Sequence, residues 1–242
     1  MNHGSDVQVG SSTAAAVSVS EALRTRQSAR AFLTTPVPLS TITELLELAR
    51  WAPSGSNIQP WRVHALTGAP LQAVVNETLG MAMQGQAPDQ EYLYYANPLP
   101  EPYLSRRRAN GWGLYGHLGI AKGDRMASAK QALANFAFFG APVGLFFFID
   151  AGLAQGSWLD YGMFLQSFML AARERGLHTC PQAAWLPYHE LARRHCGVDA
   201  GWTLVCGMAL GHLNPAEHVN GFRTPRLSPG DFLSASGFGE VS

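Results

Sequence analysis

An anion-binding pattern lies near the start of the chain, where Arg26, Ser28 and Arg30 alternate with Gln27 and Ala29. In an extended segment, residues two apart point to the same face, so both guanidinium groups and the hydroxyl would converge. The planar donor fork of arginine matches the oxygens of a phosphate. The same spacing also fits an exposed basic strand that pairs with carboxylates, and both interpretations stay open on the pattern alone.

A second polar cluster occupies the loop from Pro53 to Trp61. Its Ser54, Ser56, Asn57 and Gln59 offer donors and acceptors that could read the polar edge of a ring, and two prolines stiffen the backbone. The same residue types dominate ordinary turns. The loop by itself therefore predicts either a binding loop or a simple helix-to-strand turn.

Gln131 and Asn135 form a third candidate, because they lie one helical turn apart and could reach a bound ring together. Their alternative role is that of structural polar groups under a buried strand. Familiar motifs for holding phosphates on a helix, GxGxxG after a strand and GxxxxGK[ST], do not occur. Neither do GxSxG, HExxH or paired cysteines, which disfavours common hydrolase and metal chemistry.

The elements expected to position these residues alternate between helices and strands. Ser20 and Ser40 are predicted to cap the first two helices. Further helices are expected at residues 71–79, 125–139, 159–176 and 189–196, and strands at residues 63–66, 143–150 and 202–210. The mostly apolar helix at 159–176 predicts burial on every face, as at a subunit interface. The alternation implies an α/β or α+β sandwich in one domain.

Three segments fall outside this pattern. Residues 85–123, rich in proline and aromatic side chains, are expected to form an irregular lid. Within it, Trp112 and Tyr115 are candidates for a substrate wall, or else pack the lid itself, and the basic run Arg106–Arg108 is typical of a solvated helix face. Residues 1–18 are expected to be a disordered tail, and residues 212–242 a tail that packs on a partner subunit.

Composition limits the function classes. Lys plus Arg equals Asp plus Glu at 17 each, which argues against a nucleic-acid partner. Charged residues make up 14% of the chain, against an average of ~25%, which favours a surface partly covered by another subunit. Three unpaired cysteines suit a reducing cytoplasm. A secretory signal is not evident, and the apolar stretch at 143–149 is too short to span a bilayer, so a soluble cytoplasmic protein is expected.

Taken together, the two polar segments resemble the FMN-dependent nitroreductase family, whose members carry R-x-S-x-R-x-F and then A-P-S-x-x-N-x-Q-P-W. The chain has these motifs at Arg26–Phe32 and Ala52–Trp61, in the expected order and separation. The resemblance extends from about Ser20 onward and includes Phe138–Val143 and Gly207–Gly211. Within this family, the chain looks like the branch that reduces nitrobenzoates and related nitroaromatics.

The resemblance implies an α+β, nitroreductase-like three-layer sandwich with a central mixed sheet flanked by helices, in an intertwined homodimer with two FMN sites. It also implies site residues. The phosphate and ribityl chain of FMN would contact Arg26, Gln27, Ser28, Arg30 and Arg226. The flavin would be contacted from the opposite subunit by Pro53, Ser54, Gly55 and Asn57, with Gln59 in the same loop. The backbone beneath the ring would come from Pro181, Gln182, Ala183 and Ala184. The spacing of Gln131 and Asn135, rather than the resemblance, predicts that these two side chains could reach the pyrimidine edge of the flavin.

Two positions depart from the family pattern. Ala183 and Ala184 stand where relatives often have Glu-Gly, which keeps a backbone donor but alters the expected turn. Thr224 stands where some relatives have a basic residue, so the phosphate clamp is expected to carry one charge fewer.

The activity implied is the reduction of nitroaromatic compounds by NADPH or NADH in a ping-pong reaction, with a small-molecule electron acceptor and neither nucleic acid nor membrane as partner. A catalytic side chain is not required, because the flavin carries the redox chemistry. The alternatives are reduction of quinones or enones, reductive dehalogenation, a low-turnover flavin-binding protein, or a structural oligomer without flavin.

Overall fold

A computed structural model describes residues 17–86 and 89–238 of the chain. The seven helices named here are α1 (Val19–Thr25), α2 (Leu39–Ala49), α3 (Gly68–Met83), α4 (Tyr103–His117), α5 (Arg125–Leu133), α6 (Gln155–Glu174) and α7 (His189–Cys196). The strands are β1 (Arg62–Leu66), β2 (Val143–Asp150), β3 (His178–Gln182) and β4 (Trp202–Gly211). Short 3₁₀ helices cover Gly55–Asn57, Ala134–Gly140, Ala183–Tyr188, His218–Gly221 and Pro229–Asp231.

The four strands form one sheet in the order β1-β2-β4-β3. All three strand pairs are antiparallel, so the expectation of a mixed sheet was wrong for the named strands. Parallel pairing among the described residues is limited to an isolated bridge between Ser28 and Thr179. That bridge lies at the β3 edge, where the Arg26–Arg30 segment runs beside the sheet.

Alternating side chains of β2 reach two separate hydrophobic cores, as the two-residue period of a strand requires. Phe146 and Phe148 join a core built with α3 and α7. Val143, Leu145, Phe147 and Ile149 join a second core built with α2 and α6. Helices therefore cover both faces of the sheet, and the predicted α+β three-layer sandwich is confirmed.

The predicted burial of the long apolar helix holds for one side only. In α6, Tyr161, Phe164 and Phe168 are buried against the sheet. Leu159 on the same helix is 71% exposed. The helix therefore presents an apolar side chain outward.

Several element boundaries differ from expectation. The side chain of Ser18, not Ser20, caps α1 by accepting a hydrogen bond from the Glu21 amide. Pro38 precedes α2, so Ser40 lies inside its first turn. Strand β3 was not predicted, since Pro181 breaks the pattern of a central strand, but proline is tolerated at a sheet edge.

The segment at 85–123 is not irregular throughout, because it contains the 15-residue helix α4. All of its prolines precede Tyr103 in the sequence, where proline does not interrupt a helix. The Glu101 carboxylate accepts a hydrogen bond from the Ser105 amide, which supplies a partner at the helix start. Residues of α4 are nowhere fully buried, so the helix rests on the protein rather than inside it.

The expected disordered tail at 1–18 falls almost entirely on residues 1–16, which lie outside the described residues. The tail predicted at 212–242 is described as far as residue 238, mostly without regular secondary structure apart from two short 3₁₀ helices. Within the described ranges, none of the helices has the length and hydropathy needed to cross a membrane.

Candidate functional site

The Arg26–Arg30 segment is held as an extended chain along the edge of the sheet. The amide of Ala29 donates to the carbonyl of Thr179 in β3 at 3.1 Å. Ala29 is fully buried, whereas Arg26, Ser28 and Arg30 are half-buried on the other side. The alternation therefore brings the two arginines and the serine to one face, as the spacing predicted.

These side chains line a cavity of about 650 Å³, here called the arginine cavity. Five arginines contribute to it, together with uncharged side chains, and aspartate and glutamate are absent from its described lining. The lining residues are Leu23, Arg24, Arg26, Gln27, Ser28, Arg30, Asn110, Phe222, Arg223, Thr224 and Arg226. In a chain of zero net charge, this concentration of donors favours an anionic ligand.

Positive charges of the arginine cavity repel one another at Arg26. Burial, followed by the positive charges of Arg226 and Arg223, lowers the pKa of Arg26 below its ordinary value. Burial also lowers the pKa of the neighbouring His178 to about 4, assisted by Arg173, Arg223 and His212. None of the five cavity arginines takes part in an ion pair with another described residue. A bound phosphate would offset this repulsion.

A second cavity of about 380 Å³, the platform cavity, lies where β3 ends. Its floor includes Pro181, Gln182, Ala183 and Ala184, as expected. Its other lining residues are Arg30, Gln90, Tyr94, Tyr95, Arg107, Asn135, Cys180 and Leu186. Since Arg30 also lines the arginine cavity, the two cavities meet at this side chain.

Gln182 and Asn135 are joined inside the platform cavity. The Gln182 amide nitrogen donates to the backbone carbonyl of Asn135 at 2.6 Å. Its amide oxygen is buried and has no partner among the described residues. Gln27, in the arginine cavity, likewise has a buried side-chain oxygen without such a partner. The lining of each cavity therefore includes one buried side-chain oxygen that no described residue satisfies.

A thiolate mechanism is not supported at this site. Cys180 lines the platform cavity, but burial raises its pKa to about 11, against the smaller opposing influence of Arg30, Ser28 and Arg26. The thiol is therefore protonated near neutral pH and is a poor nucleophile. The described residues also contain no cluster of side chains suited to a metal ion.

The loop that carries Pro53, Ser54, Gly55, Asn57 and Gln59 does not line either cavity of its own chain. Most of it is exposed. Ser56, Asn57 and Gln59 all have φ values between 50° and 60°, a left-handed conformation that is strained for residues with a Cβ and is common at functional sites. The side chains of Asp160 and Ser54 support it by accepting hydrogen bonds from the amides of Gly55 and Gln59.

Three further candidates are placed away from the platform. Gln131 is half-buried in α5 and does not line the platform cavity, whereas Asn135 does. Trp112 and Tyr115 line a separate groove of about 330 Å³ on α4, with Leu104, Arg107, Arg108 and Gly111. Arg107 lines both this α4 groove and the platform cavity, and so connects them.

The sequence interpretation missed two residues of the site. Arg223 supplies a positive charge to the arginine cavity close to Thr224, where a charge was expected to be lacking, and one of its terminal nitrogens donates to the Thr25 carbonyl. Its position three residues before Arg226 was the available signal. Asn220 was also missed; it is buried and binds the backbone of Arg30. A lone asparagine in a segment without periodicity gave no signal.

Comparison with known proteins agrees with this geometry. Residues 23–212 match the Nitroreductase family. A 4-nitrobenzoate reductase of Pseudomonas putida is 43% identical over 213 residues, covering 88% of this chain and 93% of that protein.

Solved structures give the same result. The crystal structure of an FMN- and NADPH-dependent nitroreductase, NfnB, of Sphigopyxis sp. strain HMH superposes with a TM-score of 0.88 at 37% identity, covering 91% of this chain and 100% of that one. The FMN-dependent nitroreductase NfnB of Mycobacterium smegmatis, solved in complex with NADPH, gives a TM-score of 0.86 at 28% identity, covering 90% of this chain and 97% of that one. The chain belongs to the Nitroreductase family.

Proposed function

We propose that this protein is an FMN-dependent oxidoreductase that uses NAD(P)H to reduce nitroaromatic compounds. The observation that carries the proposal is the meeting of the arginine cavity with the platform cavity at Arg30. One end of this combined site suits a phosphate, and the other offers a flat backbone floor for a ring. Relatives named as nitrobenzoate reductase and as FMN- and NADPH-dependent nitroreductase support the choice of cofactor and reaction.

The residues present fit FMN. Arg26, Ser28, Arg30, Arg223 and Arg226 would hold the phosphate through charge-assisted hydrogen bonds. The unpartnered oxygens of Gln27 and Gln182 are acceptors that suit hydroxyl groups of the ribityl chain and N–H donors of the ring. Pro181, Ala183 and Ala184 would lie beneath the ring, where alanine side chains leave room for close approach.

The flavin supplies the redox chemistry, passing reducing equivalents from a nicotinamide to an acceptor, so the chain needs no nucleophile of its own. Its residues bind, orient and exclude water. The cavity arginines favour the anionic phosphate, and the platform backbone fixes the height of the ring. Donor and acceptor would occupy the space above the platform in turn, which predicts ping-pong kinetics.

We further infer that the active form is a homodimer in the cytoplasm. The strained loop at residues 53–59 is exposed and remote from the cavities of its own chain, which suits a loop that contacts the flavin of the other copy. Exposed apolar side chains support the same conclusion. Leu39 in α2, Trp51 just after α2 and Leu159 in α6 are each at least 71% exposed. Three free, buried cysteines suit a reducing compartment.

Two segments are assigned roles in this proposal. The region at 85–123 acts as a lid-like segment, because α4 lies at the surface and contributes Arg107 to the platform cavity. The tail from residue 212 completes the arginine cavity of its own chain through Arg223 and Arg226. Its exposed Phe232, Leu233 and Phe238 would pack against the surface of a partner subunit.

The deciding experiment is the visible spectrum of the purified protein before and after anaerobic addition of NADPH. Flavin absorbance that bleaches with NADPH and returns with a nitroarene is the expected result. A protein that stays colourless after incubation with FMN would overturn the proposal. Flavin that bleaches with neither NADPH nor NADH would indicate a storage or sensing protein. Faster turnover of quinones, enones or halogenated compounds than of nitroarenes would assign a different acceptor.

A further inference from the structure

The three consecutive arginines of α4 do not form one solvated face. Successive helix residues are turned by about 100° from each other. Arg106 accordingly lines a cavity with Phe222, Pro225 and neighbouring residues. Arg108 lines the α4 groove alone, whereas Arg107 lines both the α4 groove and the platform cavity.

The Arg107 side chain packs on an aromatic ring, but its positive charge is not paired with a carboxylate of the described residues. Its guanidinium carbon lies 4.3 Å from the centre of the Tyr95 ring, within the range of a cation–π contact. Tyr95 is itself packed edge-on against Tyr94, with ring centres 4.7 Å apart. Hydrogen bonds or ion pairs from Arg107 to other described residues are absent. The contact with Tyr95 therefore fixes the guanidinium while leaving its N–H donors available.

Both supporting tyrosines also line the platform cavity. A planar donor group thus stands at the mouth of the space in which an acceptor would meet the flavin. Glu and Asp residues do not line the platform cavity or the α4 groove within the described chain. An anionic group that enters with the acceptor would meet no competing carboxylate there.

We propose that Arg107 binds the anionic substituent of the acceptor and makes carboxylated nitroarenes preferred over neutral ones. The inference rests on the proposed function and names its substrate class. A carboxylate can accept two parallel hydrogen bonds from the guanidinium fork. A rigid nitrobenzoate held in this way would have its nitro group directed away from Arg107 and into the platform cavity. Arg107 is thus a specificity-determining residue that touches substrate, not a proton donor.

An anion at Arg107 could also belong to the nicotinamide dinucleotide, which carries phosphates. The two sources predict different kinetics. A carboxylate contact changes the KM for the charged acceptor alone. A phosphate contact changes the KM for NADPH and leaves the choice between charged and neutral acceptors as it was.

The test uses the FMN-loaded wild type, Arg107→Gln and the matched control Arg106→Gln, which removes the same charge from the adjacent helix position. The ratio of kcat/KM for 4-nitrobenzoate to that for nitrobenzene is measured at fixed NADPH. We expect Arg107→Gln to lower this ratio about tenfold through the KM for 4-nitrobenzoate, as loss of a partly exposed charged hydrogen bond allows. The ratio for Arg106→Gln should equal that of the wild type.

A binding measurement gives a readout independent of turnover. In calorimetric titration of the oxidised holoprotein, the Kd for benzoate should rise about tenfold in Arg107→Gln, whereas binding of neutral benzamide should not change. An unchanged ratio, an equal fall in both variants, or a rise confined to the KM for NADPH would overturn this inference while the proposed function stands. A wild type that binds FMN but reduces neither nitroarene would overturn the proposed function and the inference with it.

Discussion

The side chain of Asn220 clamps the backbone of Arg30. Its amide oxygen accepts a hydrogen bond from the Arg30 N–H at 2.8 Å. Its amide nitrogen donates to the carbonyls of Ala31 and Asn214, at 2.8 and 2.9 Å. Asn220 is buried, so it fastens the segment that carries the anion-binding arginines to the segment that carries Arg223 and Arg226.

Asn220→Ala is therefore expected to lower both stability and cofactor retention. The Arg30 N–H would lose its partner, and the carbonyls of Ala31 and Asn214 would each keep only a backbone donor. The free energy of unfolding should therefore fall by about 1–3 kcal/mol. Urea denaturation of the protein measures this change. Asn214→Ala is the matched control, because its lost bond to the Ala216 amide is exposed and its backbone carbonyl still accepts from Asn220. An equal loss of stability in the two variants would contradict the clamp.

The arginine cavity predicts which charges retain FMN. Arg226→Ala and Arg223→Ala should each weaken FMN binding by about 1.5–3 kcal/mol, or roughly 10- to 150-fold in Kd. Quenching of FMN fluorescence on titration with the apoprotein measures the affinity. Arg175→Ala is the control, since Arg175 is paired with Glu44 outside the cavity and its loss should leave the Kd unchanged. A normal Kd for Arg223→Ala would remove that residue from the clamp.

The lowered pKa of His178 predicts that the folded protein loses stability on acidification. Burial and the positive charges of Arg173, Arg223 and His212 lower its pKa to about 4 in the folded protein, from an ordinary value near 6.5. The unfolded chain therefore binds the proton more readily, so folded stability is lost as pH falls from about 6.5 to about 4. The slope from this one group is at most about 1.4 kcal/mol per pH unit.

Denaturation of the apoprotein in urea at several pH values between 7 and 5 measures that slope. His178→Gln cannot take up the proton, so its stability should depend less steeply on pH over the same interval. Parallel curves for the variant and the wild type would show that His178 does not contribute.

The sequence predicted those parts of the protein in which local pattern and tertiary role coincide. The helix at 189–196 and the strand at 143–150 were predicted with the bounds that the structure has, because their apolar periods match burial on one face or on both. The alternation at Arg26, Ser28 and Arg30 likewise determines a shared face in an extended segment.

Other features depend on contacts that no local pattern encodes. Strand β3 forms at the sheet edge, where β4 pairs along its whole length and Ser28 adds an isolated bridge to Thr179, despite its proline. Helix α4 was not predicted, because the prolines that precede it in the sequence are typical of irregular chain. The roles of Arg223 and Asn220 arise from a chain that returns to residues about 190 positions earlier, which spacing along the sequence cannot indicate.

The shape of the platform cavity depends on Gly207, because the ring of Trp185 packs directly against its Cα. Gly207 in β4 is paired with Gln182 of the platform, and a Cβ at Gly207 would collide with the ring of Trp185. Trp185 is completely buried and lies in the same 3₁₀ helix as the platform residues Ala183 and Ala184. It cannot move aside without shifting Ala183 and Ala184.

Gly207→Ala is accordingly expected to destabilise the protein by about 1–3 kcal/mol, the usual cost of overpacking a core, and to weaken FMN binding by displacing the platform. Gly80→Ala is the matched control. Gly80 is exposed in α3 and a Cβ there would meet nothing within 4 Å, so alanine should raise stability by about 0.5–1 kcal/mol. Thermal unfolding and FMN titration of both variants test the two effects separately. If Gly207→Ala lost stability yet kept the wild-type Kd for FMN, the position of Trp185 would matter for folding but not for the platform.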